Sequence, residues 1–244
     1  MAWRLSGRRS RQAGYTIPAV EAAFTYVCLD CDDTAKSSMN KRPRSKTPAK
    51  KAVTKKPAFS LSADAPELRA LAAGEHGDPF ALLGRHALGG REVFRCFLPR
   101  TRSAWLDDET RPMQRLPGTD LFEFQAEAGT LPPHYRVIRE ADHGGRQVFV
   151  DPYSFWPQLP PEALDAFHAG RHRHAWHLLG ACRHVVNEVE GTLFSVWAPN
   201  AGRVSVIGDF NDWDGRCHPM RRHAAQGIWE LFIPGVTEGR DKFG

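Results

Sequence analysis

The residues best suited to chemistry lie in a polar loop that carries an indole, residues 208–214 with the sequence GDFNDWD. A sugar ring has an apolar face and a rim of hydroxyls, so an aromatic side chain held among Asn and Asp suits stacking on it. Trp213 is therefore the first candidate for a ligand contact. Asp209, Asp212 and Asp214 are close in sequence, but such aspartates are typical of solvated turns, and we assign no acid/base pair to them.

Two short segments must position this loop. Apolar residues alternate at Phe194 and Val196 and again at Val204 and Val206, and residues 199–202 between them, PNAG, have the composition of a turn. This pattern predicts a hairpin of two half-buried strands that ends at the polar loop.

The loop belongs to the second of two similar units. Pro112-Met113 corresponds to Pro219-Met220, and Leu121-Phe122-Glu123 corresponds to Ile228-Trp229-Glu230, both at an offset of 107 residues. Earlier matches between the units have an offset of 100 residues. The second unit therefore has seven extra residues, and they fall in the loop around Trp213.

Short alternating strands separated by turns predict β-sandwiches, and the repeat predicts two of them. We expect an all-β fold of two tandem immunoglobulin-like β-sandwiches, the second truncated, because its last strand would end about fourteen residues past Gly244 by the repeat. The expected segments are a disordered basic extension (1–60), a short helix (61–75), the first sandwich (76–156), a helical connector (157–184) and the second, incomplete sandwich (185–244).

The net charge of +5 is unevenly distributed. Residues 1–57 hold 13 Lys and Arg against four acidic residues, whereas the rest of the chain holds 20 basic and 24 acidic residues. Residues 36–57, with nine basic residues, three prolines and no acid, are expected to be disordered. The mildly acidic remainder argues against a specific nucleic-acid partner.

The cysteine content and the hydropathy of the chain indicate the cellular compartment of the protein. Five cysteines at scattered spacings are a poor disulfide framework and favour a reducing cytoplasm. No stretch approaches the roughly 20 apolar residues of a membrane helix, so we expect no membrane partner.

Five histidines lie between His168 and His184, but no carboxylate or cysteine completes a ligand set. We therefore expect solvated or interdomain histidines, no metal site and no cofactor.

Four further motifs occur in order and support a family resemblance. They are DPFALLGRH at residues 78–86, VDPYSF at 150–155, HLLG at 177–180 and GIWELFIPG at 227–235. Together with the Trp213 loop, they resemble the amino-terminal half of bacterial 1,4-α-glucan (glycogen) branching enzymes, over roughly residues 60–244. The second unit resembles the glycogen-binding immunoglobulin-like modules of that family.

The resemblance implies a reaction that lies elsewhere in the parent protein. Branching enzymes cleave an α-1,4 bond and transfer the freed chain to a 6-hydroxyl, by a retaining mechanism on a (β/α)8 barrel. These 244 residues show no eightfold alternation of strands and helices. We therefore assign no catalytic residue and expect the chain to be inactive by itself. The implied partners are α-glucan, such as glycogen or amylose, and the catalytic barrel of the parent enzyme.

The resemblance also implies substrate-binding residues. In related modules the tryptophan of a Phe-Asn-x-Trp loop stacks on glucose, and Trp213 and Asn211 match that motif. A lysine of the following strand hydrogen-bonds sugar hydroxyls there, and Lys242 matches it. In the alternative, this face packs on the barrel and Trp213 is structural. Trp197 and Trp229 alternate with apolar neighbours and are expected in the core.

The sequence thus predicts the amino-terminal α-glucan-binding region of a cytoplasmic glycogen branching enzyme. Two alternatives stay open. One is a stand-alone glycan-binding or regulatory module, and the other is a module of a debranching or trehalose-forming relative. The motif at residues 78–86 favours the branching enzyme.

Overall fold

The computed structural model describes residues 61–237, and these form three antiparallel sheets and two short helices. The basic extension expected to be disordered and Lys242 lie outside the described residues. The elements are α1 (Pro66–Ala73), β1 (Gly84–Leu88), β2 (Arg91–Phe97), β3 (Thr101–Leu106), β4 (Gln114–Arg115), β5 (Leu121–Glu127), β6 (Arg136–Ala141), β7 (Arg146–Val150), α2 (Pro161–His168), β8 (Gly180–Val186), β9 (Val189–Trp197), β10 (Arg221–His223) and β11 (Ile228–Pro234).

The first module is a sandwich of two sheets, one with the order β1-β2-β5-β4 and the other with the order β3-β6-β7. Cys96 of β2 pairs with Phe122 of β5, so both side chains point to the same face. There they pack with Leu106 of β3 and Val137 of β6 in a buried core. The predicted all-β class and the first β-sandwich are confirmed. Within residues 61–237 no helix is both long and apolar enough to cross a membrane.

The second module is built on a sheet with the order β10-β11-β9-β8. Phe194 of β9 pairs with Leu231 of β11, and both face one core. Their neighbours Leu193 and Phe232 also pair, but they face the opposite side, where the connector with Leu164 of α2 covers them. The sheet is therefore buried on both faces, which explains why every residue of β11 is buried.

The predicted hairpin between residues 194–196 and 204–206 is wrong. β9 pairs with β8 and β11, whereas Ser205 forms an isolated bridge with Pro219. After β9 the chain crosses the core, and Val204 and Val206 approach Phe194 from the other side of it. The alternating pattern correctly indicated burial, but the pairing partner is set by contacts distant in sequence.

The two modules share one core. Leu71 of α1 packs with Phe97 and Leu121 from the outer face of the first module and with Phe194 and Leu231 from the second. A hydroxyl reinforces this apolar contact, because the Tyr153 hydroxyl donates to the carbonyl of Pro219 at 3.2 Å. The two modules therefore pack against each other.

The repeat places a buried glutamate at the same position of each module. Glu123 on β5 forms an ion pair with Arg95 at 3.3 Å. Glu230 on β11 accepts hydrogen bonds from the backbone N–H groups of Gln158 and Leu159 at 3.0 and 2.9 Å. Glu230 thus ties its sheet to the connector, whereas Glu123 pairs with the neighbouring strand of its own sheet, and each buried charge has a partner.

The helices lie close to their expected places. α1 ends at Gly74, whose φ of 69° is readily reached by glycine and closes the helix. The connector contains α2 and a short 3-10 turn at Ala175–His177. Strand β8 begins at Gly180, so it occupies part of the stretch to residue 184 that the sequence predicted as helical connector. The glycine ends the turn and allows the chain to enter the sheet at a φ of 121°.

Candidate functional site

The loop that carries Trp213 follows the bridge at Ser205 and begins with a 3-10 turn, Asp209–Asn211. Asn211 is buried, with 4% of its surface exposed, and its side chain holds the turn together. Its Oδ1 accepts from the N–H of Gly208 at 2.9 Å, and its Nδ2 donates to the carbonyl of Val206 at 2.9 Å. The loop is therefore closed by side-chain hydrogen bonds to the backbone.

Beneath the loop lies a partly buried histidine, His218. Nδ2 of Asn211 lies 2.9 Å from Nδ1 of His218, and the ring of Phe210 meets the imidazole edge-on at 5.2 Å. Burial, aided by the nearby Arg139 charge, lowers the pKa of His218 to about 4. The imidazole is neutral at physiological pH, so its Nδ1 can accept the amide hydrogen of Asn211.

Trp213 is half exposed, at 50%, and is held by hydrogen bonds from its backbone and from its ring. Its backbone N–H donates to the carbonyl of Gly208 at 2.9 Å, and its Nε1 donates to Oδ1 of Asp209 at 2.9 Å. Because the N–H edge is already bonded, the indole offers a ligand mainly carbon surface. That is the part of the ring that stacks on the apolar face of a sugar.

The three aspartates of the loop each have a partner. Asp209 bonds the indole, Asp212 pairs with Arg100 at 2.9 Å, and Asp214 accepts from Arg216 at 2.7 Å. Hydrogen bonds from the Arg216 side chain hold the pKa of Asp214 below its usual value. A general acid needs a raised pKa, so the geometry supports turn-forming and not catalytic aspartates.

The first module contacts the loop through Arg100. This residue lies just after β2 and reaches Asp212 across the junction between the modules. Both side chains are about half exposed, so the pair contributes little to stability. It is a contact between the loop and the first module.

Two family models match successive segments of the chain, one for each module. Residues 64–153 match the alpha-1,4-glucan branching enzyme GlgB, N-terminal domain. Residues 178–243 match carbohydrate-binding module 48 (isoamylase N-terminal domain). The chain carries the amino-terminal domains of the glycogen branching enzyme family.

Curated relatives agree with this assignment. The chain is 43% identical over 180 residues to the 1,4-alpha-glucan branching enzyme GlgB of Methylococcus capsulatus, a match that covers 74% of this chain and 24% of that protein. It is 45% identical over 174 residues to the enzyme of the same name from Cellvibrio japonicus, covering 67% of this chain and 24% of that protein. The chain therefore spans about a quarter of the length of these relatives.

One solved structure is similar only weakly. A pullulanase from Anoxybacillus sp. LM18-11 complexed with maltotriose matches at 17% identity with a TM-score of 0.21, covering 63% of this chain and 21% of that one. Similarity at this level carries no argument.

The predicted residues of this branching-enzyme region occupy different environments. Trp213 is accessible and Asn211 is buried beneath it, in one loop. Trp229 is buried as predicted, and its Nε1 donates to the carbonyl of Ala198 at 3.0 Å. The prediction for Trp197 is wrong, because it is 55% exposed at the end of β9, where Phe167 of α2 meets its ring edge-on.

Trp156, which was not predicted as a site residue, is 82% exposed. A signal was present, because the preceding Phe155 is extended and buried, and consecutive side chains of an extended segment point to opposite sides. Among residues 61–237, no three His, Cys, Asp or Glu side chains come together as candidate metal ligands. The histidines expected to be solvated or interdomain include His174, which packs edge-on against Trp176.

Proposed function

We propose that this chain is the amino-terminal region of a cytoplasmic 1,4-α-glucan branching enzyme of glycogen biosynthesis, and that its second module binds α-glucan through the Trp213 loop. The observation that carries the proposal is the half-exposed Trp213, held by Asp209 in a segment that matches a carbohydrate-binding module. The order of the two matched segments, 64–153 before 178–243, supports the branching enzyme over the alternatives.

The backbone of the loop supports a ligand-binding role. Asp212 and Trp213 have φ values of 53° and 59°, in the left-handed region that bulky residues seldom adopt. Such a conformation costs on the order of 1–3 kcal/mol per residue and persists where the surrounding structure enforces it, often at binding sites. A fixed indole loses little further freedom when a sugar stacks on it, so less of the binding energy is offset by ordering.

The remaining predicted residues take supporting roles. Burial of Asn211 favours a positioning role, because its amide is bonded to the loop backbone and lies near His218. Lys242, outside the described residues, stays the proposed donor to sugar hydroxyls. A sugar held by Trp213 would then be hydrogen-bonded at its rim.

The chemistry belongs to a catalytic barrel of the parent enzyme. There a carboxylate nucleophile and a general acid/base would carry the retaining transfer of a glucan chain. The role of the modules is to hold the polymer near that barrel. Tethering one part of a polymer raises the effective concentration of the rest without a new catalytic group.

Replacement of Trp213 tests this proposal. Trp213→Ala should weaken binding to glycogen or maltoheptaose by ~1–2 kcal/mol, because a stacked aromatic surface is lost. Trp213→Phe should keep part of the affinity. Glycogen-affinity electrophoresis and calorimetric titration with maltoheptaose measure both variants, and thermal unfolding shows whether the fold is intact.

Trp176→Ala provides a matched control, since Trp176 is similarly exposed in the connector but lies outside the loop. It should bind as the unchanged chain does. Unaltered affinity of Trp213→Ala together with a large loss of stability would make Trp213 a structural residue and would contradict the proposal.

A further inference from the structure

A groove of about 890 Å³ lies where the two modules and the connector meet, away from the Trp213 loop. Its lining comes from both matched segments and from the chain between them. Asp78 and Phe80 belong to the first module, Asn187 and Arg221 belong to the second, and Trp156 lies in the connector. Its size falls in the range of small-ligand sites, roughly 300–1,000 Å³.

The indole of Trp156 is presented by a firmly anchored segment. Phe155 beneath it is buried and stacks on the ring of His134 at 3.9 Å, with the two planes 7° apart. On the other side, the backbone N–H groups of Gln158 and Leu159 are fixed by the carboxylate of Glu230. Trp156 itself is the most exposed large apolar side chain of residues 61–237. The indole beside the groove is therefore accessible to a ligand.

The polar lining of the groove suits an uncharged polyol. Asp78 offers a carboxylate, Asn187 an amide and Arg221 a guanidinium that lies 3.7 Å above the ring of Phe80. Nδ2 of Asn187 lies 2.8 Å from Nε2 of His134, which fixes the turn between β8 and β9. Carboxylate, amide and guanidinium groups together accept from and donate to hydroxyls.

We propose that this groove is a second α-glucan site, in which Trp156 stacks on a glucose ring and the groove lining hydrogen-bonds its hydroxyls. The identity of the ligand rests on the proposed function, whereas the site is separate from the Trp213 loop. One glucan polymer could then be held at two aromatic platforms, on the loop of the second module and at the junction of both. Two weak sites on one polymer retain it far better than either alone.

Fluorine NMR of the chain labelled with 5-fluorotryptophan tests each platform separately. The seven tryptophans are assigned by single Trp→Phe substitutions. On titration with maltoheptaose, the Trp156 resonance should shift and saturate, and it should do so equally in Trp213→Ala. The resonances of Trp176, exposed outside the groove, and of the buried Trp229 should stay in place.

Substitutions at Trp156 give the second measurement. Trp156→Ala should weaken glycogen retention about tenfold, the scale of a lost aromatic contact, without lowering Tm, because the side chain is exposed. Trp156→Phe should keep most of the retention since a ring remains. Trp156→Leu should behave as the alanine variant does, because it is apolar but has no ring to stack.

The outcomes separate this inference from the proposed function. A fixed Trp156 resonance beside a saturating Trp213 shift overturns the groove and leaves the loop site standing. A shift of Trp156 alone supports the groove and contradicts the loop, and no shift at either position overturns both. Full retention by Trp156→Leu would mean that the groove needs only apolar surface, as in docking of a protein, and would overturn the sugar site.

Discussion

Two ionisable groups, Asp151 and His218, should give the stability of this chain opposite dependences on pH. Asp151 accepts from the Tyr135 hydroxyl at 2.5 Å and from the N–H of Tyr153 at 3.1 Å, yet burial raises its pKa from 3.8 to about 6. The folded state therefore binds this proton more tightly than the unfolded chain. The free energy of unfolding falls as the pH rises from about 4 to about 6, by ~3 kcal/mol from this group.

His218 contributes with the opposite sign. Burial lowers its pKa from 6.5 to about 4, so in this window the unfolded chain binds the proton that the folded state excludes. The free energy of unfolding then rises by ~3 kcal/mol between about pH 4 and pH 6.5. The two contributions nearly cancel in the unchanged chain, and stability should depend little on pH through this pair.

Single substitutions should expose each contribution. Asp151→Asn removes the contribution that falls with pH, so its free energy of unfolding should increase by ~2 kcal/mol between pH 4.5 and pH 6.5 relative to the unchanged chain. His218→Asn, which keeps an acceptor near Asn211, should show a decrease of similar size. Urea unfolding, followed by near-ultraviolet circular dichroism at half-unit steps of pH, measures both slopes.

The double variant serves as the control. Asp151 and His218 share no hydrogen bond, so their effects should add and the double variant should again be nearly flat. Parallel pH profiles for the unchanged chain and both single variants would refute the reasoning, since they would mean that neither group is titrated differently in the folded state.

Two further predictions concern stability. Glu230→Gln should lower the free energy of unfolding by about 2–3 kcal/mol in urea titrations. The two backbone N–H groups bond different oxygens of the carboxylate, and an amide keeps only one of those oxygens. A loss below about 0.5 kcal/mol would contradict the anchoring role. Gly191→Ala should lower the free energy of unfolding by about 1–3 kcal/mol, because the new Cβ would lie 2.4 Å from the carbonyl oxygen of Ile233 in the neighbouring strand. Gly202→Ala is the control and should change stability little, since there is open space around Gly202. Equal effects of the two substitutions on Tm would refute the close approach.

Much of the architecture follows from local patterns. Residue preferences that act over a few positions predict three features of the fold. These are the Pro66–Ala73 helix with its terminal Gly74, the strand content and the loop insertion around Trp213. The 107-residue offset also carries a tertiary consequence, because Glu123 and Glu230 are both buried at equivalent strand positions. A repeated sequence repeats its fold wherever short-range preferences decide it.

Other features are decided only by contacts distant in sequence. Trp197 and Trp229 have similar apolar neighbours, but Trp229 faces the core shared by the two modules and Trp197 lies where the connector leaves the sheet partly open. The pairing of β9 with β11, and the groove beside Trp156, likewise depend on how the modules meet. Periodicity shows that a strand has an apolar face, but the segment that covers it is chosen by packing across the whole domain.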